Sequence, residues 1–243
     1  MHSTTGRRPP SLADYYAVNK GGGLFSEATG QWIGTVVAAT GRRLGLPPTV
    51  LTLVNLAIAL ATSVTVVVLA APVADGAVPA WPVGLAALVG WQLAYAFDCA
   101  DGQLARATGQ TSAAGARTDI LSDVASQIAL VTAVAVVTLA QRPDTPVWLV
   151  VAFAGTWMTN LVTSALQSGP AAASMVPSRS LPVRVVKLVR DPGAAFFVAG
   201  LILLFAPAAM VWFVVAFTVV NGGFLVASIA FAARSALTPG NTA

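Results

Sequence analysis

The stretch Asp98–Asp123 reads DCADGQLARATGQTSAAGARTDILSD and carries four of the chain's nine acidic residues: Asp98, Asp101, Asp119 and Asp123. Asp98 and Asp101 close one long apolar run, and Asp119 and Asp123 open the next. The first pair is spaced i,i+3 and the second i,i+4, so each pair shares one face of a helix. Gly102, Gly109, Ser112 and Gly115 punctuate the region between them as a turn. This predicts two helices joined by a short loop, with the two carboxylate pairs facing each other. Carboxylates at the ends of apolar spans are costly and persist mainly where they have work to do.

The flanking sequence sets the solvent. Hydrophobic residues make up 56% of the 243 and charged residues 9%, against about 25% charged in an ordinary soluble domain. A chain this apolar belongs in a bilayer, where each backbone amide must be satisfied within its own segment and helices are the spanning element. Runs of about 20 apolar residues suffice to cross. Six candidates occur, at 47–71, 79–103, 115–140, 146–167, 188–206 and 208–233. Pro72, Pro79, Pro143, Pro170 and Pro207 mark the breaks, the tightest being Ala206-Pro207. The expected fold is all-α: a polytopic membrane protein of six transmembrane helices.

Residues 24–46 precede the first span. They mix Leu24, Phe25, Trp32, Ile33, Val36 and Val37 with Glu27, Gln31, Arg42 and Arg43. That pattern fits an amphipathic helix lying in the headgroup plane, its basic end suited to anionic lipid; the alternative is an amphipathic helix packed on the bundle. Residues 1–23 are polar, with no apolar core after Arg7-Arg8, and read as a flexible cytoplasmic leader rather than a signal peptide. Residues 47–235 are expected to form a six-helix transmembrane catalytic domain, and 236–243 a C-terminal tail.

Charge orients the bundle. With the N-terminus inside, twelve of the thirteen Lys and Arg fall on one side and only Arg142 on the other. This predicts cytoplasmic termini in a cell (inner) membrane, with the carboxylates on the same side. The net charge of +4 is thus a topology signal, and no basic reading element points to nucleic acid.

The residue inventory narrows the chemistry. The lone His2 lies in the leader and the lone Cys99 cannot form an internal disulfide. A catalytic base must then be a carboxylate, a Lys, a Tyr or the thiol. Four clustered carboxylates repel unless protons or cations lie between them. Oxygen-only ligands favour a hard ion, Mg²⁺ first, with Mn²⁺ or Ca²⁺ also admitted. Four carboxylates suit two such ions, which can clamp both the attacking and the leaving oxygen of a phosphoryl transfer. Small residues thread the stretch, Ala100, Gly102, Ala105, Ala107, Gly115 and Ala116, and leave room for a bulky ligand to approach the backbone or for close helix–helix packing.

The same stretch resembles the CDP-alcohol phosphatidyltransferase family. It carries that family's signature D-x2-D-G-x2-A-R-x8-G-x3-D-x3-D without gap or substitution, at Asp98, Asp101, Gly102, Ala105, Arg106, Gly115, Asp119 and Asp123. The resemblance implies six transmembrane helices behind an interfacial helix, and a homodimer. It implies Asp98, Asp101 and Asp119 as ligands of a two-metal site, and Asp123 as both ligand and general base. Gly102, Ala105 and Gly115 would lie beside the CDP moiety, with Arg106 near the pyrophosphate or securing the loop. The family's Pro-Asn/Asp-x-x-Thr element has a counterpart in Pro48–Thr52, with Thr49 replacing Asn or Asp. Thr49 and Thr52 would hydrogen-bond the nucleotide, or else their own helix backbone.

The implied reaction passes a phospho-alcohol group, most simply phosphatidyl from CDP-diacylglycerol, to a hydroxyl acceptor and releases CMP. Arg184, Lys187 and Arg190 recur every third residue and would form a basic stripe. Such a stripe suits a phosphorylated acceptor such as inositol phosphate or glycerol phosphate, or lipid headgroups alone. Three other readings compete. The first is a family member that joins a soluble CDP-alcohol to a polar or lipid alcohol. A Mg²⁺-dependent isoprenoid transferase would need a second Asp-rich motif, yet Asp144 and Asp191 stand alone. A transporter would not need the Gly-x2-Ala-Arg spacing.

Overall fold

The computed structural model describes residues 10–19, 23–166 and 188–237, and among these all regular structure is helical. The order is α1 (Leu12–Ala17), α2 (Leu24–Ala28), α3 (Gly30–Arg43), α4 (Pro48–Ala74), α5 (Ala80–Thr108), α6 (Ala113–Gln141), α7 (Val147–Leu166), α8 (Pro192–Phe205) and α9 (Met210–Leu237), with a 3₁₀ turn at Pro207–Ala209 before the last. Four of these, α4, α5, α6 and α9, are long and apolar enough to cross a membrane. The other two apolar helices are shorter over their apolar stretches, Val147–Val162 and Pro192–Phe205.

Local signals set the boundaries. Pro48 opens α4 at a first-turn position where no amide hydrogen is needed. Gly109 ends α5 in the left-handed conformation (φ 71°) that a glycine adopts without a Cβ penalty. Ser112 then caps α6, accepting from the Gly115 amide at 3.0 Å. Ala206-Pro207 makes the tight break expected of it, spanned by the single 3₁₀ turn.

The core lies where α4, α5, α6, α7, α8 and α9 meet, around Trp91, Leu130, Val134, Phe153, Trp157 and Phe217. Trp157 stacks on Phe217 with centroids 4.5 Å apart. The two buried indoles find partners, Trp91 on Ser63 Oγ at 3.1 Å and Trp157 on Gln127 Oε1 at 2.9 Å, as a buried N–H requires. Small residues let the helices close. A Cβ on Gly84 would lie 2.2 Å from Leu204 Cα, and one on Gly200 would lie 2.7 Å from Leu88 Cα, so α5 and α8 cross backbone to backbone. Large apolar side chains such as Val68, Leu121, Trp148 and Val226 point outward, the arrangement of a protein solvated by hydrocarbon.

The N-terminal region departs from expectation in two ways. Residues 24–46 form not one helix but two, broken at Thr29, which leaves the helical region at φ −128°. The leader, expected to be flexible, is folded over residues 10–19. Ser11 and Asp14 form a capping box that starts α1, and Tyr15 is fully buried against Ala38, Leu51, Ala100 and Leu104. The signal was local: Ser-x-x-Asp before an apolar pair is a helix start. Burial lifts the Tyr15 phenol above its usual pKa, and Arg42 partly opposes the shift.

In α3 the buried face is small and polar, comprising Gly30, Gln31, Gly34, Thr35, Ala38 and Gly41. Trp32, Ile33 and Val36 are about half exposed on the other side. A Cβ at Gly34 would come within 2.9 Å of Cys99 Cβ and 3.0 Å of the Ala96 carbonyl, so α3 rests directly on α5.

Candidate active site

Three helix segments converge at one end of the bundle. The last turns of α5 supply Asp98, Asp101, Gly102, Ala105 and Arg106, the first turns of α6 supply Gly115, Asp119 and Asp123, and the first turns of α4 supply Thr49, Thr52 and Asn55. The α5–α6 turn, only Gly109–Ser112, brings Asp98 of the first pair close to both members of the second, whereas Asp101 is not in that close group.

Asp98, Asp119 and Asp123 each offer an oxygen within 4.8 Å of the others. Asn55, which the sequence reading did not single out, donates its Nδ2 to Asp98 Oδ1 at 3.2 Å. Its signal was available: Thr49, Thr52 and Asn55 recur every third residue on an otherwise apolar helix. Asp101 is 4% exposed and accepts the Thr52 hydroxyl. The Thr52 hydroxyl lies nearer Asp101 than its own helix carbonyl, Pro48 O, which it reaches at 3.4 Å.

Beside the carboxylates opens a cavity of about 300 Å³. Asp101 and Asp119 line it, together with all six residues expected at the nucleotide: Thr49, Thr52, Gly102, Ala105, Arg106 and Gly115. The space left by Gly102 is taken by a side chain of the protein itself. A Cβ there would lie 2.7 Å from Arg106 Nη1 and 3.0 Å from Nη2, so the guanidinium lies against the glycine. A Cβ on Gly115 would meet Ser112 Oγ at 3.0 Å and Thr49 Oγ1 at 3.9 Å.

The donor set fits a divalent ion. Three carboxylates approach one another this closely on a scaffold that contributes only oxygen ligands, the preference of a hard cation. One of them is also oriented by a side-chain amide, as ligating carboxylates are.

The basic stripe divides differently. Arg184 and Lys187 lie outside the described residues. Arg190 is not among the cavity-lining residues; its guanidinium carbon stands 3.4 Å from the Phe224 ring centroid on α9. Asn160 of α7 donates to the Arg190 carbonyl at 3.2 Å. Burial lowers the Arg190 pKa to about 10, which leaves it charged at neutral pH.

Long apolar helices with three clustered carboxylates beside a cavity of mixed lining are what a metal-dependent membrane transferase would require. Residues 46–220, well over half of the chain, match the family model for CDP-alcohol phosphatidyltransferase. The chain belongs to the CDP-alcohol phosphatidyltransferase family and is a transferase of that kind. No curated protein matches it. The family works in phospholipid biosynthesis, in membranes, and depends on divalent metal.

Proposed function

We propose that the protein transfers a phosphatidyl group from CDP-diacylglycerol to a hydroxyl acceptor and releases CMP. The observation that carries this reading is the convergence of Asp98, Asp119 and Asp123 beside a cavity walled by Thr49, Thr52, Gly102, Arg106 and Gly115. Asp98, Asp119 and Asp123 would hold one divalent ion, and Asp101 would complete the four-carboxylate set for a second, with Mg²⁺ the preferred metal and Mn²⁺ its substitute. Held by these carboxylates, a divalent metal would supply positive charge to offset that of the pyrophosphate.

The chain's own residues do the rest. Thr49, Thr52, Gly102, Ala105 and Gly115 shape the nucleotide cavity, and Arg106 offers its guanidinium to the pyrophosphate. Thr52 and Asn55 orient Asp101 and Asp98. Asp123 takes the proton from the acceptor hydroxyl. The freed oxygen bonds to the phosphorus distal to cytidine, the bond from that phosphorus to the CMP oxygen breaks, and CMP leaves. Catalysis rests on positioning and on charge arranged in advance.

A lipid donor is favoured by two features. The apolar face of α3, with Trp32, Ile33 and Val36, is turned away from the bundle, which supports a helix seated in the headgroup layer. A second cavity, of about 440 Å³, is lined only by apolar residues, among them Phe25, Phe197, Phe213 and Phe217, a lining suited to hydrocarbon. Charge asymmetry supports an inner-membrane protein of six spans, α7 and α8 being the shorter two, with its site and termini on the cytoplasmic side. The basic residues Arg184 and Lys187 support, on the sequence alone, a phosphorylated acceptor such as inositol phosphate or glycerol phosphate, whereas Arg190 packs over Phe224. A homodimer is the family's expected assembly.

The test is CMP release from CDP-diacylglycerol and Mg²⁺ by detergent-purified protein. The acceptor panel is inositol phosphate, inositol, glycerol phosphate, serine and a lipid alcohol. Release with one acceptor, lost in EDTA, is expected. Asp123→Asn should lose at least about a hundredfold in turnover, as removal of a general base does, while retaining part of its metal binding. Asp98→Asn and Asp119→Asn should weaken metal binding itself. Wild-type turnover by Asp123→Asn would sink the base assignment.

A further inference from the structure

We propose that the N-terminal arm, residues 10–19, is a positioning element of the nucleotide site, acting through Arg106. The arm is docked, and one of its contacts reaches the site. Arg106 donates its Nε to the Val18 carbonyl at 2.8 Å. Val18 is the C-cap of α1, where carbonyls lack intrahelical partners and accept donors readily. A guanidinium has five N–H donors in a rigid fork, so fixing one edge fixes the plane of the whole group. With Nε engaged by the arm, Nη1 and Nη2 lie against Gly102, in the space a Cβ would occupy. Gly102 and Arg106 both line the 300 Å³ cavity. The arm therefore sets the direction in which the terminal nitrogens are presented there.

Three further contacts hold the arm in place. Tyr15 is 1% exposed and packs among Ala38, Leu51, Ala100 and Leu104. Tyr16 stacks on Trp32 at 4.4 Å, and its hydroxyl donates to the Glu27 carbonyl at 3.2 Å. Gln103, fully buried one turn before Arg106, donates Nε2 to Asn19 Oδ1 at 3.0 Å and to the Gln31 carbonyl at 2.9 Å. One α5 side chain thus clamps the end of the arm to α3, and the next holds the arm's carbonyl at the cavity wall. Among the described residues, Arg106 both hydrogen-bonds the arm and lines the cavity, so a change in the arm is read out there.

This inference rests on the reading of the cavity as the nucleotide site, and the experiment separates the two. The probe is CDP with Mg²⁺, its Kd measured by titration calorimetry on detergent-purified full-length protein. The variants are Tyr15→Ala, which unseats the arm, Arg106→Ala, and the pair. Tyr15→Ala and Arg106→Ala should each weaken CDP by about tenfold, the scale of one charge-assisted hydrogen bond. The pair should be no weaker than Arg106→Ala alone, because the arm is proposed to act on the nucleotide through Arg106. Tyr15→Phe should restore the wild-type Kd. Should Tyr15→Ala fail to fold, deletion of residues 1–19 takes its place in the same cycle. Unchanged CDP affinity on unseating the arm, with Arg106→Ala weakened, overturns the arm's role alone. Equal losses from the arm variant with and without Arg106 overturn it too, since they reveal only a general loosening. Wild-type affinity in Arg106→Ala overturns the nucleotide-site reading itself, and the arm's role with it.

Discussion

Replacing Asp191 by alanine should be among the most damaging single changes outside the candidate active site. Its carboxylate is 2% exposed and serves two helix starts at once. Oδ2 accepts the amides of Phe25 at 3.0 Å and Ser26 at 2.9 Å, in the first turn of α2. Oδ1 accepts the Ser26 hydroxyl and the Ala194 amide at 3.3 Å, the latter in the first turn of α8. The Ser26 hydroxyl in turn accepts from Tyr95 of α5 at 2.6 Å. Asp191→Ala strands three backbone donors and one hydroxyl, and each buried, unsatisfied donor costs about 1–3 kcal/mol. Some will recover a water, so the total loss should be about 3–5 kcal/mol, including the lost charge at the α8 N-terminus. Asp191→Asn keeps one acceptor oxygen and should lose about half as much. Tyr95→Phe removes only the far end of the chain and should lose about 1 kcal/mol. Equilibrium unfolding of detergent-purified protein titrated with SDS reads all three. An Asp191→Ala variant within about 0.5 kcal/mol of wild type, the range of a surface change, would refute the idea that this carboxylate joins α2 to α8.

Two other changes test the packing and the site. Gly84→Ala puts a methyl 2.2 Å from Leu204 Cα; because the obstacle is backbone, α5 and α8 must separate, and the same SDS titration should show a loss of about 2 kcal/mol or more. Thr52→Val keeps the shape but frees Asp101 of its hydroxyl partner, so the Mg²⁺ concentration needed for half-maximal CMP release should shift by about threefold to tenfold while the unfolding midpoint moves little.

Much of the site was legible because its information is local. The i,i+3 and i,i+4 spacing of the four aspartates, the glycines between them and the Ser112 cap all act within a turn or two, and the helix–turn–helix of α5 and α6 follows from them. Thr49, Thr52, Ala105 and Arg106, which the family resemblance placed beside the nucleotide, line the cavity. Asn55 was overlooked despite its three-residue spacing from Thr52, because a lone amide in an apolar helix also bonds within its own bundle. Arg190 reads as one of three stripe residues, yet it packs over Phe224 of α9, a partner 34 positions away that no periodicity announces.

By itself the sequence determined the apolar surroundings, the helical class and the carboxylate cluster. Each of these follows from composition or from spacing within one helix. Only the tertiary structure decided which faces meet and which side chains reach across. It broke the segment at 24–46 into α2 and α3 at Thr29, turned the small face of α3 onto α5, and seated α1 over the core through Tyr15. It also supplied Val18 as the partner of Arg106, 88 positions distant, and Ser26 as the partner of Asp191, 165 positions distant. The physical reason is one of range. Helix periodicity and capping energies extend over a turn. The match between a buried donor and its acceptor is fixed only when glycine-lined helix faces have closed to contact and no water remains to take the acceptor's place.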